Sequence, residues 1–152
     1  MQKQAITGYE EATNLPPAQQ ALVNFYRAFN TKDMEAMAWN WAQTTDISMD
    51  NPVGGIKRGW TAIQEVYAHI FNGPAKVSVE FHDYTLQETP EMFFVVGRER
   101  GTFRIGSEVI ELAIRTSRIY QWIEGRWQQV HHHGSIDDPV LLAQYQSAVR
   151  GN

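Results

Sequence analysis

Cysteine is absent from this chain of 152 residues. Its absence excludes disulfide bonds, thiolate metal ligands and cysteine nucleophiles. Long apolar runs are missing as well, and residues 1–6 lack the apolar core of a signal peptide. From these absences we expect a soluble, cytoplasmic protein without a membrane partner.

Positive charge is also scarce. The 13 lysines and arginines are outnumbered by 17 aspartates and glutamates, which gives a net charge of -4, and the basic residues form no block. A nucleic-acid partner is therefore not expected, because such partners are held by a basic surface. The sequence also contains no phosphate loop, nucleophile elbow, zinc-helix motif or dinucleotide fingerprint, so we expect no cofactor.

The chain does contain enough apolar material for one core. Hydrophobic residues make up 43% of it, and a domain of this length buries about two thirds of the surface that its unfolded chain exposes. Residues 1–15 are polar and show no period, which predicts a flexible leader. Residues 16–150 are predicted to form a single domain.

The first half of that domain shows helical periodicity. Pro16 and Pro17 open a helix whose apolar residues recur at helical spacing. Asp33 is a suitable N-cap for a second helix. A short strand candidate at residues 47–49 precedes a third helix, which ends at Gly73.

From Val77 onward the period changes to two, which is typical of strands with one buried face. Short connections favour antiparallel hairpins between three longer strands, at residues 92–105, 109–120 and 126–133. Asp138 and Pro139 then begin a last helix that reaches about Val149. Helices followed by strands indicate an α+β fold, in which the helices cover one face of a curved antiparallel sheet.

Asp50 is the first candidate for chemistry. It lies where the short strand breaks into a loop rich in glycine and proline, and loop carboxylates on a rigid scaffold are common general bases. The alternative interpretation is structural, because an aspartate before Asn-Pro is ordinary turn chemistry.

Arg98 and Arg118 are the second candidates. Both lie inside apolar strand runs, where an unpaired charge is costly. If both face inward, they form an anion site. The alternative is that they make cross-strand ion pairs with Glu99, Glu111 or Asp83.

Three consecutive histidines, His131, His132 and His133, occupy the last predicted strand. Successive strand side chains point to opposite faces, so His132 faces away from the other two. Whichever face lines a cavity therefore receives at least one imidazole, a group that can donate or accept a proton. A zinc site normally needs three protein ligands, and His131 and His133 supply only two, so no metal site is predicted.

Aromatic residues are the fourth group of candidates. Tyr26, Trp41 and Tyr67 could form the wall of a ligand cavity, because such pockets are mostly apolar and carry few polar groups. Packing in an ordinary core or interface is the alternative.

Three segments carry a resemblance to known families. Residues 25–33, which read Phe-Tyr-Arg-Ala-Phe-Asn-Thr-Lys-Asp, and residues 51–54, Asn-Pro-Val-Gly, resemble the nuclear transport factor 2-like superfamily in its ketosteroid isomerase and SnoaL-like branches. Residues 118–135 are similar to the association domain of calcium/calmodulin-dependent kinase II. The resemblance implies a cone-shaped, cystatin-like roll with a pocket inside, dimerisation through the sheet, and a pocket position for Val130.

The chain departs from the isomerase pattern at the residues that matter. Asn51 stands where that family has its catalytic aspartate, Phe25 where it has its oxyanion tyrosine, and Thr116 near its second aspartate. Authentic steroid isomerisation is therefore not expected. Association domains carry arginines in their pocket, and Arg98 and Arg118 match two of those positions. Because side chains alternate along a strand, this alignment implies that His132 faces the pocket.

These observations predict a pocket protein that binds a small organic molecule carrying a carboxylate or a carbonyl group. An alternative is a cofactor-independent proton-transfer enzyme, an isomerase, cyclase or dehydratase, that uses Asp50 or His132. A second alternative is an oligomerising hub module. A homodimer is expected, because apolar strand residues are too many for one helical layer to cover; the residues expected to face outward are Phe93, Val95, Phe103, Ile105 and Ile119.

Overall fold

A computed structural model describes residues 4–150 of the chain. In this part the elements are α1 Pro17–Asn30, α2 Met34–Asn40, β1 Ser48–Asp50, β2 Lys57–Arg58, α3 Gly59–Asn72, β3 Lys76–Glu88, β4 Met92–Ile105, β5 Glu108–Ile123, β6 Arg126–Ser135 and α4 Pro139–Val149. A short 3-10 helix, Ala12–Asn14, precedes α1. The α+β class is confirmed.

The six strands form one curved sheet in the order β2-β1-β6-β5-β4-β3. Strands β3 to β6 pair antiparallel, as predicted. Strand β1, for which the sequence predicted no partner, pairs parallel with β6 and places Met49 opposite His132. No hairpin joins these two strands, so the turn residues that reveal antiparallel neighbours carry no sign of this pairing.

The helices pack against one face of the sheet, the inner face. Helix α1 begins with proline at its first position, where the missing N–H is not needed. Its side chains Leu22, Phe25 and Tyr26 are at most 1% exposed. Asp33 caps α2, as predicted, by accepting a hydrogen bond of 3.0 Å from the N–H of Ala36. None of the helices within residues 4–150 is long and apolar enough to cross a membrane.

The segment before α1 corrects the expectation of a flexible leader over residues 1–15. Ile6 is buried and exchanges two backbone hydrogen bonds with Phe81, of 2.9 and 2.8 Å. Arg27 donates to the carbonyl oxygens of Gly8 and Glu10. These backbone contacts were not visible in the polar composition of the segment; residues 1–3 lie outside the described residues.

The outer face of the sheet carries a different apolar set from the one expected. Phe93, Val95 and Phe103 are at most 5% exposed and belong to the core, whereas Ile105 and Ile119 are half-buried. Phe93, Val95 and Phe103 were expected on the outer face, and their strand is shifted by one residue from that expectation. Such a shift moves every side chain to the other face. The large apolar side chains exposed on β4 and β5 are Met92, Phe94, Val96, Val109 and Trp122.

A β-bulge interrupts β6 at Val130. Gln129 pairs with Tyr120 and His131 pairs with Ile119, so Val130 has no partner of its own on β5. The extra residue changes the alternation of side chains. Gln129 and His132 both become buried, although they are three residues apart.

Candidate functional site

A cavity of about 60 Å³ lies between the inner face of the sheet, α1, α3 and α4. Apolar side chains make up most of its wall, and a few polar groups interrupt it. The lining residues are Phe25, Phe29, Met49, Asn51, Pro52, Val66, Tyr67, Ile70, Val77, Val79, Glu99, Leu112, Ile114, Arg118, His132 and Tyr145.

Arg118 and Glu99 form a buried ion pair at this cavity. The Arg118 Nη2 atom lies 2.8 Å from Glu99 Oε2, and both side chains are less than 10% exposed. Glu99 also accepts a hydrogen bond of 2.7 Å from the hydroxyl of Tyr26. The guanidinium carbon stands 3.6 Å from the centre of the Phe25 ring, which is a cation–π contact.

A hydrogen-bond network holds this pair from the side of β6 and α2. Arg118 Nη1 donates to Gln129 Oε1 at 2.8 Å, and Gln129 Nε2 donates to Asn40 Oδ1 at 3.1 Å. Asn40 Oδ1 also accepts from the hydroxyl of Tyr120 at 2.8 Å. These buried polar groups satisfy one another, which rigidifies the centre of the domain.

Burial shifts the protonation of the groups around the ion pair. Burial opposes the charge on Arg118, but the neighbouring Tyr26 and Glu99 oxygens outweigh it and raise its pKa above the ordinary value. Burial raises the pKa of Tyr67 to about 12, and it raises the pKa of Tyr145 to about 12 together with the nearby Glu99 charge. The phenols therefore stay protonated at neutral pH.

His132 brings an imidazole to the cavity, as the resemblance to the association domains implied. It is 7% exposed, and its Nδ1 finds no hydrogen-bond partner among residues 4–150. Burial lowers its pKa well below the ordinary value, and the charge of Arg118 adds to this effect. The ring is neutral at pH 7 and carries an unsatisfied polar atom, which is costly inside a protein.

Arg98 does not reach the cavity. It lies on the outer face, about half exposed, where its Nε stands 3.5 Å from Asp83 Oδ2. The expected anion site with two inward arginines is therefore wrong, because Arg98 has the opposite strand parity to Glu99. The cross-strand ion-pair alternative holds for both arginines, for Arg98 with the exposed Asp83 and for Arg118 with the buried Glu99.

Asp50 also lies outside the cavity. Its neighbour Met49 faces inward and lines the cavity, so Asp50 points to the outer face. There its carboxylate contacts two histidines, with 2.5 Å from Oδ2 to His133 Nδ1 and 3.6 Å from Oδ1 to His131 Nε2. Asp50 and His132, the two predicted catalytic residues, are thus on opposite faces of the sheet.

The predicted aromatic and apolar wall is present only in part. Tyr67 lines the cavity, whereas Tyr26 lies behind it and holds Glu99. Trp41 is fully buried in the core, where its ring packs beside that of Tyr67. Val130 is the half-buried bulge residue and is not part of the lining.

Sequence reasoning missed the residues that support the charged centre. Gln129 and Asn40 look like ordinary strand and helix residues, and only the fold brings them to Arg118. Glu99 was considered only as an outer cross-strand partner. The sequence carried no signal for this choice, because Phe93 and Val95 share the parity of Glu99 while Phe94 and Val96 share that of Arg98.

Helix α4 closes one side of the cavity. None of its residues is fully buried, and hydrogen bonds tie its C-terminal end to the loop after β1: Gln146 Nε2 to the Pro52 carbonyl and Arg150 Nη2 to the Val53 carbonyl. Two further cavities, of about 130 and 330 Å³, adjoin the helix, and Tyr145 lines all three.

Comparisons with known proteins agree with this architecture. A candidate dehydratase of the nuclear transport factor 2-like family from Streptomyces avermitilis superimposes with a TM-score of 0.71 at 16% identity, over 78% of this chain and 93% of its own. A candidate calcium/calmodulin-dependent protein kinase type II association domain from Thiobacillus denitrificans gives 0.64 at 22% identity, over 79% and 94%.

An uncharacterised protein with a cystatin-like fold from Caulobacter vibrioides gives a TM-score of 0.66 at 20% identity, over 93% of this chain and 99% of its own. At these identities the likeness shows the fold alone. No curated protein matches the chain at a significant level. Residues 18–139 match the SnoaL-like domain, and the chain therefore belongs to the SnoaL-like family.

Proposed function

We propose that this protein binds a small, uncharged organic molecule with a carbonyl or hydroxyl group in the cavity beside His132. The observation that carries the proposal is the unpartnered Nδ1 of this buried imidazole. A buried polar atom normally has a partner, and an exception needs an explanation such as a ligand or a water. A ligand oxygen or hydroxyl group would satisfy it.

The charge balance of the cavity supports a neutral ligand over a carboxylate. Among residues 4–150, Arg118 is the one cation in the lining, and Glu99 already neutralises it at 2.8 Å. A carboxylate would have to compete with Glu99 or add a second negative charge in a place poor in water, which is costly. The carboxylate half of the sequence-based expectation is therefore not carried into the proposal.

The size of the cavity restricts the ligand. One water molecule needs about 10–15 Å³, so the cavity of about 60 Å³ holds about four to six atoms of that size. A larger ligand needs the space behind Tyr145. Displacement of that side chain would join the cavity to its two neighbours.

Proton transfer on the bound molecule is the second candidate function. His132 would act as the base, while the protonated phenols of Tyr67 and Tyr145, which line the same cavity, would donate hydrogen bonds to a carbonyl oxygen. Asp50 has no part in this mechanism because it lies on the outer face. The likeness to a candidate dehydratase adds only a fold-level analogy.

Nuclear magnetic resonance with small ketones and matched carboxylates, such as butanone and butyrate, tests the binding proposal. Butanone is expected to shift the amide signals of Met49, Tyr67 and His132, and His132→Phe should weaken its binding about three- to tenfold, the effect of one hydrogen bond. Arg98→Gln on the outer face is the control. Preferential binding of butyrate, or shifts confined to the outer face, would contradict the proposal.

The same samples test the catalytic candidate. If His132 removes a proton next to the ketone, the protein should accelerate exchange of the butanone α-protons with deuterium from the solvent, and His132→Gln should abolish the acceleration. Binding without exchange would leave the protein as a ligand-binding protein.

Association of two copies through the outer face of the sheet is proposed as well. Phe94 lies opposite Ile119 and Val96 lies opposite Ser117, which places an apolar strip across β4 and β5. Phe94 and Val96 are 39% and 47% exposed. A second copy would cover this strip.

A further inference from the structure

The outer face of the sheet holds a second cluster of polar side chains, at the junction of β1 and β6. The parallel pairing of these strands sets Ser48 opposite His131 and Asp50 opposite His133. All four side chains point away from the cavity, because Met49 and His132, between them, point into it. The cluster is therefore separate from the cavity described above.

Two imidazole nitrogens and a carboxylate oxygen converge in this cluster. His133 Nδ1 lies 2.5 Å from Asp50 Oδ2, and His131 Nε2 lies 3.6 Å from Asp50 Oδ1. One ligand atom from each of the three residues lies within 4.8 Å of the others. Zinc ligands at about 2.1 Å from a tetrahedral ion stand about 3.4 Å apart, so a small movement of the His133 ring would open the site to an ion.

Ser48 orients one of the imidazoles. Its Oγ lies 2.8 Å from His131 Nδ1, and Nε2 of the same ring is the atom directed at Asp50. A metal-binding histidine usually makes a hydrogen bond through its other nitrogen, and that bond fixes both the ring and the tautomer. With Nδ1–H donating to Ser48, the Nε2 lone pair faces the carboxylate, where a bound cation would separate the two acceptors.

We propose that Asp50, His131 and His133 bind a divalent transition-metal ion of the zinc class on the outer face of the sheet. Three protein ligands are the number found in zinc sites that keep an open position. The Asp50 and His131 side chains are 29% and 30% exposed and the His133 side chain is 52% exposed, so solvent reaches that open position. Mixed nitrogen and oxygen ligands favour zinc over magnesium or calcium, which prefer oxygen alone.

The sequence-based expectation of no metal site rested on the count of two histidines on one strand face. The third ligand is supplied by the parallel pairing of β1 with β6, which that count could not include. The alternative to a metal site is a hydrogen-bonded group in which Asp50 serves only as the acceptor for His133.

Calorimetric titration of chelator-treated protein with Zn²⁺ distinguishes the two. The proposal expects one equivalent of Zn²⁺, no comparable binding of Mg²⁺, and a loss of at least tenfold in affinity in each of Asp50→Asn, His131→Gln and His133→Gln. Ser48→Ala should lose about tenfold, as removal of an orienting partner does. His69→Gln and His82→Gln, which change the two histidines outside the tract, are the controls and should bind like the wild type.

Wild-type protein provides a second measurement that does not depend on the folding of a variant. One equivalent of Co²⁺ should broaden the amide signals of Ser48–Asp50 and His131–His133 selectively. Absence of stoichiometric Zn²⁺ binding, broadening centred on His69 or His82, or unchanged affinity in Asp50→Asn would overturn the proposal. Neither the Zn²⁺ titration nor the Co²⁺ measurement tests ketone binding in the cavity, so either proposal can fail while the other stands.

Discussion

The Arg118 Nη2 atom contacts Glu99 Oε2 at 2.8 Å in the interior of the domain, and neither side chain is more than 8% exposed. The contact is diagonal across the sheet, since Arg118 is paired in register with Val95 and Glu99 with Ile114. The ion pair thus connects the cavity to the hydrogen bonds of Tyr26 and Gln129. Removal of either charge should therefore disturb these hydrogen bonds as well as the ion pair.

Arg118→Met alone should destabilise the protein by about 3–5 kcal/mol, because it leaves the buried Glu99 without its partner. Arg118→Met combined with Glu99→Leu should recover much of that loss, since an apolar pair can replace a buried ion pair. Urea denaturation measures both changes. Arg98→Met is the control and should cost at most about 1 kcal/mol, as the loss of an exposed pair does; equal effects at the two arginines would contradict the buried pairing.

His132 should make the stability of the protein depend on pH. Its pKa in the folded protein is well below the ordinary value of 6.5, so the unfolded chain takes up a proton first as the pH falls. The free energy of unfolding should therefore decrease below about pH 6.5, with a slope approaching about 1.4 kcal/mol per pH unit until the folded state is protonated too.

The contribution of His132 can be separated from that of other groups by comparison with His132→Gln in the presence of a chelator. The unfolding free energy of the wild type should fall relative to that of the variant as the pH is lowered from 7 to 5. Parallel curves over this range would mean that the imidazole titrates alike in both states.

Tyr145→Ala should enlarge the space available to a ligand. The side chain lines all three cavities around α4, so its removal is expected to merge them and to admit ketones of about ten non-hydrogen atoms that the wild type excludes. A crystal structure of the variant gives the cavity volume, and titration gives the affinities. Tyr9→Ala, at an exposed aromatic residue, should leave both unchanged, and unchanged ketone size selection in Tyr145→Ala would contradict the role given to Tyr145.

A charge on the outer apolar strip should prevent association. Wild-type protein is expected to scatter light as a dimer or a larger assembly at micromolar concentration. Val96→Glu should shift it to the monomer, because a buried carboxylate without a partner is costly at an interface. Val140→Glu, which places the same charge on the exposed start of α4, is the control, and a monomeric wild type would refute the proposed association.

The sequence predicted the elements well where the local pattern alone determines them. The strand over residues 92–105 has the predicted bounds, and the Asp33 and Asp138 caps hold their helices as expected. Periodicity and capping depend on neighbours in the chain, so they can be deduced from it. The inward position of His132 followed from the parity of the family resemblance.

The predictions that failed depend on contacts between distant segments. Nothing near Asp50 in the sequence shows that β1 runs beside β6, so its position next to His131 and His133 was not foreseen. Arg98 was placed inside because an arginine in an apolar run looks the same on either face. Arg98 and Glu99 are neighbours and point to opposite faces, and only the pairing of the strands decides which of them faces the cavity.

The bulge at Val130 decides which histidines of β6 face the cavity and which lie on the outer face. A regular strand that kept Gln129 inside would turn His131 and His133 inward and His132 outward. Deletion of Val130 would remove the extra residue together with the bulge, so Gln129 and His132 would both stay inside and His131 and His133 would stay on the outer face. A relative that kept every residue of this strand but paired it without the bulge would therefore direct two imidazoles into the cavity and one to the outer face.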